Sequence, residues 1–206
     1  MSEFNYGQKY IYVMLSRTHT IPARLIRLYT GNPYSHTSIA LDPELKQMYS
    51  FARKGVWNPF DSGFIKEDIN SGIFGRDKNV YCSIYAVPVS DEQYRSIRDE
   101  ISHFVKNQDE YGYNYTGLVF AMFGKNIDDG KHFMCSQFVN HLFYKSGLSL
   151  FDKGEKGLVK PYDFHLKLKH HRIYRGKLTE YHDFLRRRPD IEDIDWDNYV
   201  IPSYPA

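Results

Sequence analysis

The sequence is short of cysteine, of unbalanced charge and of long apolar runs, and each shortage removes a class of explanation. Its 206 residues include two cysteines, Cys82 and Cys135, too few for a disulfide framework. The formal net charge is +2, which argues for neither nucleic acid nor a charged membrane surface as partner. Arg186-Arg187-Arg188 is a local basic cluster, but Asp190, Glu192, Asp193, Asp195 and Asp197 follow at once. Such a segment is expected to be self-neutralising, solvated surface. No apolar stretch approaches the ~20 residues that cross a bilayer, so no membrane span is expected. The opening Met1-Ser2-Glu3-Phe4-Asn5 lacks a basic region followed by an apolar run, and no secretory leader is read there. These features together lead us to expect a reducing, cytoplasmic setting, in which a free thiol persists. Phosphate-loop and Gly-x-Ser-x-Gly signatures are missing. His165, His170, His171 and His182 lack the spacing of zinc ligands. They read as basic, solvated surface, and neither metal nor cofactor is expected.

Aromatic residues are plentiful, with 18 Tyr and 14 Phe, enough to fill core margins or to line a groove. Hydrophobic residues at 42% and charged residues at 25% are ordinary for a globular chain. The length suits one domain, 1–206, with 180–206 as a C-terminal extension. A domain of this size buries about 70% of its unfolded surface and needs no covalent staple.

Local patterns place the elements. Tyr10 to Leu15 reads as a buried strand. Ile21 to Tyr29 reads as a helix, with Thr20 as N-cap and Pro22 in the first turn. His36 to Leu41 and Met48 to Arg53 flank the turn residues Asp42 to Lys46 as a β-hairpin. Val80 to Val89 is a strand of β-formers. Ser90 and Gln93 form a capping box. The helix they open carries Tyr94, Ile97, Ile101, Phe104 and Val105 at helical spacing. Residues 111–117 form a Tyr/Gly/Asn loop that leads to a short apolar helix near Leu118 to Phe123. From Cys135 to Tyr144 the residues Phe138, Val139, Leu142 and Phe143 make one helix face, stopped by Gly147. Pro161 to Phe164 is left without an assignment, and a strand is read near Arg172 to Arg175. Helices interspersed with hairpin strands predict an α+β fold around an antiparallel sheet.

Cys135 is placed in the first turn of its helix, where unpaired backbone N–H groups and the helix dipole favour a thiolate. The same N–H groups can receive the oxyanion of a tetrahedral intermediate. Cys82, mid-strand, reads as core. A nucleophilic cysteine needs a base, and the base needs a third group to orient it. His36 opens a strand after a turn and is the candidate base. If His36 pairs opposite Ala52, then Ser38, Ala40, Met48, Ser50 and Ala52 share its face. Ser50, diagonally beside it, becomes the third member, with Glu67 as the alternative. A one-residue slip would place Phe51 there instead.

The segment Tyr34-Ser35-His36-Thr37-Ser38-Ile39-Ala40-Leu41, followed about a hundred positions later by Met134-Cys135-Ser136-Gln137-Phe138-Val139, resembles the permuted NlpC/P60-like (YaeF/YiiX-type) papain-like hydrolases. In that group the His strand precedes the Cys helix, the reverse of ordinary papain-like order. Gly63-Phe64-Ile65 and Pro161-Tyr162-Asp163 also resemble its motifs, and the likeness covers roughly residues 10 to 178. Gln137 stands where the family commonly has Glu. The resemblance implies a papain-like sheet or partial barrel packed on helices, with Cys135 as nucleophile, His36 as base and no cofactor. The substrate expected is a small peptide, an amino-acid amide or an acyl group. The implied activity is cysteine amidase or peptidase. A thioesterase or acyltransferase, and a non-catalytic ligand-binding module of the same fold, are the alternatives. Tyr34, Tyr113, Tyr115 and Ser136 are the candidate substrate contacts. The third catalytic residue does not carry over from the family and stays open between Ser50 and Glu67.

Overall fold

Apolar residues on both sides of the central strands build a sheet that is covered on both faces. The structure, a computed structural model, describes residues 8–17, 32–54, 62–114, 130–151 and 159–187. Strands β1 (Lys9–Arg17), β2 (His36–Ala40), β3 (Met48–Arg53), β4 (Ser62–Glu67), β5 (Tyr81–Val89), β6 (Gly112–Tyr113), β7 (His132–Phe133) and β8 (Arg172–Lys177) form one sheet. Their order is β7-β6-β4-β3-β2-β1-β5-β8. Neighbouring strands run antiparallel, except the parallel pair β6–β7. Five α-helices are described: α1 (Gly72–Arg76), α2 (Asp91–Lys106), α3 (Cys135–Lys145), α4 (Pro161–Leu168) and α5 (Tyr181–Arg186). The chain is thus α+β, with an antiparallel sheet at its centre.

Strand β1 shows why both faces are dry. Ile11, Val13 and Leu15 enter one core cluster, together with Ile97, Ile101 and Phe104 of α2, Phe138, Val139, Leu142 and Phe143 of α3, and Phe164 of α4. Tyr12 and Met14 enter the other, with Phe74 of α1 and Tyr181 of α5. Period-two alternation therefore gives two cores from one strand. Phe51 of β3 anchors the first cluster. Its ring centroid lies 5.8 Å from those of Phe64 and Phe104, 5.1 Å from Phe133 and 5.3 Å from Phe138. Each such pair adds about 0.5–1.5 kcal/mol beyond the area it buries. Because Phe133 and Phe138 flank Cys135, this ring cluster sets where the start of α3 lies on the sheet.

Several expectations meet the structure directly. Ser90 caps α2 by accepting from Gln93 N at 3.1 Å, while Gln93 Oε1 accepts from Ser90 N at 2.9 Å. Gly147 follows α3 at φ +79°, and Gly147 N and Leu148 N donate back to Tyr144 O and Phe143 O, the paired bonds of a Schellman ending. Val105 departs from its expected place. It is 44% exposed, because the buried stripe of α2 closes with Ile97, Ile101 and Phe104 and leaves 105 outside it. Residues 161–168, unassigned from sequence, are helix α4, with Pro161 at its start and Asp163 Oδ2 accepting from Lys160 N at 3.0 Å. The first part of the expected extension packs on the body. Tyr181 is fully buried and its hydroxyl donates to Pro43 O at 2.8 Å. The helix expected over 21–29, the short helix near 118–123, and residues 188–206 lie outside the described residues. Among the described residues no helix is long and apolar enough to cross a membrane.

Candidate active site

The hairpin register places the site. β2 and β3 pair Ile39 with Tyr49 and Ala40 with Met48, the register that carries His36 opposite Ala52 and Ser38 opposite Ser50. β4 adds the next row, pairing Met48 with Glu67 and Ser50 with Ile65. Residues paired across antiparallel strands share a face, so His36, Ser38, Ser50 and Glu67 all project from the same side of the sheet. Glu67 stands two strands from His36, roughly 10 Å across at the usual strand spacing. Its side chain bridges that gap over Ser50, which is small enough to lie beneath.

His36 Nε2 and Glu67 Oε1 are 2.8 Å apart, with side chains only 14% and 6% exposed. Ser38 Oγ donates to the other carboxylate oxygen, Oε2. The carboxylate is therefore held at both oxygens, one by the ring and one by a strand neighbour of that ring. Cys135, the first residue of α3, is buried, and its sulfur is near enough to the His36 ring to help raise its pKa. With Nε2 engaged by Glu67, Nδ1 is the nitrogen left for the sulfur. Burial alone would lower the pKa of His36. The charge of Glu67, then the charge and hydrogen bond of Cys135, outweigh it and push the imidazole up to about 10. The arrangement places the His36 ring between Glu67 and Cys135.

The helix start prepares the other half. The first helical bond of α3 runs from Phe138 N to Met134 O at 3.0 Å, so the Cys135 N–H stands ahead of the helical ladder. Gln137 Oε1 accepts from Met134 N at 3.0 Å, completing one half of a capping box. The other cysteine differs in kind. Cys82 is 2% exposed, and burial pushes its thiol well up.

The remaining sequence candidates are dispersed. Ser50 is buried, and its Oγ has no hydrogen-bond partner. The third position beside His36 is filled by the carboxylate of Glu67, which is long enough to span β3 and carries the charge a serine lacks. The Ser136 hydroxyl is engaged by the Val159 carbonyl at 2.6 Å, so it tethers the chain ahead of α4. Tyr34 is 9% exposed, with its hydroxyl 2.8 Å from Ser83 Oγ. Tyr113 is half-buried in β6, and Tyr115 lies outside the described residues. Sequence reasoning put Ser38 on the correct face but gave it no role. Its signal was the His-x-Ser spacing, which places a hydroxyl one pleat from the base. Among the described residues no group of three or more His, Cys, Asp or Glu gathers as a metal site.

No protein-family model matches the chain, and no curated protein matches it.

Proposed function

We propose that the chain is a cysteine hydrolase that cleaves amide bonds through Cys135, His36 and Glu67, with the permuted NlpC/P60-like papain-like order its sequence resembles. The observation that carries the reading is the His36 ring, bonded at Nε2 to Glu67 and raised in pKa by Glu67 and by Cys135. A base oriented by a third group and set against a cysteine at a helix start is the arrangement covalent acyl transfer requires.

The steps follow from these positions. The Cys135 thiolate attacks the substrate carbonyl carbon, and the carbonyl π pair moves to oxygen. The Cys135 N–H, unpaired at the helix start, donates to that oxyanion. The intermediate collapses as the C–N bond breaks, and the leaving nitrogen takes the proton of imidazolium Nδ1. The neutral ring then removes a proton from water, whose oxygen attacks the thioester. Expulsion of the thiolate releases the carboxylic acid and restores the ion pair. Glu67 keeps the ring oriented and offsets its charge throughout, and Ser38 keeps Glu67 in place.

Purified protein assayed against dipeptide amides and acyl thioesters tests the reading. Turnover is expected in the wild type and should vanish in Cys135→Ala. Turnover that survives that substitution would overturn the mechanism. Thioester cleavage without amide cleavage would redirect it to acyl transfer.

A further inference from the structure

The basic segment that sequence reading assigned to plain solvated surface contains a built cluster. We propose that Arg172, Arg175 and His165 form a subsite for an anionic oxygen group, a carboxylate or a phosphate, on the substrate that Cys135 attacks; the substrate clause rests on the hydrolase reading above.

Strand β8 carries a bulge that aims the cluster. It pairs Arg175 with Ser83, Tyr174 with Ile84 and then Arg172 with Tyr85, skipping Ile173. On a regular strand positions 172 and 175 would point to opposite faces. The bulge sends both Ile173 and Tyr174 into the core beneath and brings both arginines to the face of Ser83 and Tyr85. Bulges commonly re-aim side chains in this way beside functional sites. On that face Tyr85 OH bonds to His165 Nδ1 at 2.8 Å, and the Tyr34 and His165 rings lie 5.6 Å apart. Burial, then Arg172 and Arg175, hold the pKa of His165 below the usual histidine value, so both guanidinium groups are near the ring.

Among the described residues the cluster has cations and no paired carboxylate. Arg172 Nε is buried with no hydrogen-bond partner, and among the described residues no carboxylate pairs with either arginine. Residues 165 to 177 hold Lys167, Lys169, Arg172, Arg175 and Lys177 and no acidic residue. A buried donor without an acceptor costs free energy that an incoming anion would recover. The arginine fork suits carboxylate and phosphate oxygens alike.

Two short chain paths run from the cluster toward the segments that carry His36 and Cys135. Tyr34 is two residues ahead of His36. Ser136, next to Cys135, is bonded to Val159, two residues ahead of α4, which carries His165. The Tyr162 ring, 5.3 Å from that of His165, completes an aromatic wall.

Two measurements test this. In the first, acetate and inorganic phosphate are titrated separately while the side-chain NMR signals of His165 are followed. Saturable shifts are expected, and the tighter ion identifies the group. Affinity should fall roughly tenfold, the worth of a charge-assisted hydrogen bond, in Arg172→Met and in Arg175→Met, the latter at an exposed position. No saturable shift, or equal affinity in all three proteins, overturns the proposal. In the second, Cys135 is alkylated by N-bromoacetylglycine and by its neutral amide, each losing bromide to the thiolate. The acid should react faster in the wild type, and Arg172→Met should cut that preference roughly tenfold while leaving the amide rate unchanged. Anion binding with an unaltered preference refutes the link to Cys135. If neither reagent labels Cys135, the hydrolase reading fails and the substrate clause with it, while the anion titration still decides whether the cluster binds.

Discussion

The His36 ring keeps its proton to high pH because Glu67 and Cys135 act on it, Glu67 most strongly. Removing the charge of Glu67 while keeping its shape is therefore the informative change at the residue scale. Glu67→Gln should lower turnover by on the order of 10²-fold, the low end of what positioned acid–base groups contribute. It should also move the alkaline limb of the pH–rate profile down from about pH 10, because Glu67 is the largest influence raising His36. A limb that stays in place would mean the carboxylate does not act on the ring. Ser50 provides the contrast. Its hydroxyl is buried and unpartnered, so Ser50→Ala should leave turnover and its pH profile unchanged. The pair of substitutions separates the residue that touches His36 from the one that only shares its face. Ser38 belongs with Glu67, since its hydroxyl occupies the second carboxylate oxygen.

At the scale of elements, α3 carries Cys135 and α2 braces it. Phe138 is fully buried, with its ring 5.2 Å from that of Phe104 and 5.6 Å from that of Phe64. Phe138→Ala should cost about 3–5 kcal/mol in urea unfolding. Ser90→Ala should cost about 1 kcal/mol, because it removes one capping acceptor. The Ser90 change lies at the start of α2 and should leave Cys135 alkylation at its wild-type rate. The capping box was legible in the sequence because it is a contact between residues three apart. Helix α4 was not: in eight residues it buries only Phe164 and Leu168, too few for a period to emerge. A second clasp joins the same two helices, with His141 Nε2 2.8 Å from Glu100 Oε1. The bond to His141 holds the Glu100 carboxyl below its usual range.

For the whole molecule, the His36 ion pair links stability to pH with a definite sign. The folded state holds the His36 proton up to about pH 10, against an ordinary value of 6.5. The pair's contribution is therefore fully present below about pH 6.5 and is lost as pH rises through 10. Urea midpoints compared between wild type and His36→Ala should converge as pH climbs from 7 to 10.5. A constant gap across that range would show that His36 has no raised pKa in the folded state. Both proteins share the same tyrosines and the same buried Cys82, so the comparison isolates the one ring.

The sequence by itself determined what short-range physics controls: β1, β2, β3, β5 and β8 by their runs of apolar and β-forming residues, α2 and α3 by capping and periodicity, and Cys135 at a helix start, while β4, β6 and β7 were not read as strands. The hairpin register, left open in the sequence between Ser50 and Phe51 beside His36, was decided by the pairing of Ile39 with Tyr49 and Ala40 with Met48. Only the tertiary structure decided that the Glu67 carboxylate meets His36, since it arrives from a strand two places away and reaches over a serine no local pattern distinguishes from a partner. It likewise decided that Arg172 and Arg175 face the same way. A single skipped residue at Ile173 reverses the alternation a sequence reader must assume, and that skip is set by pairing with β5 rather than by β8 itself.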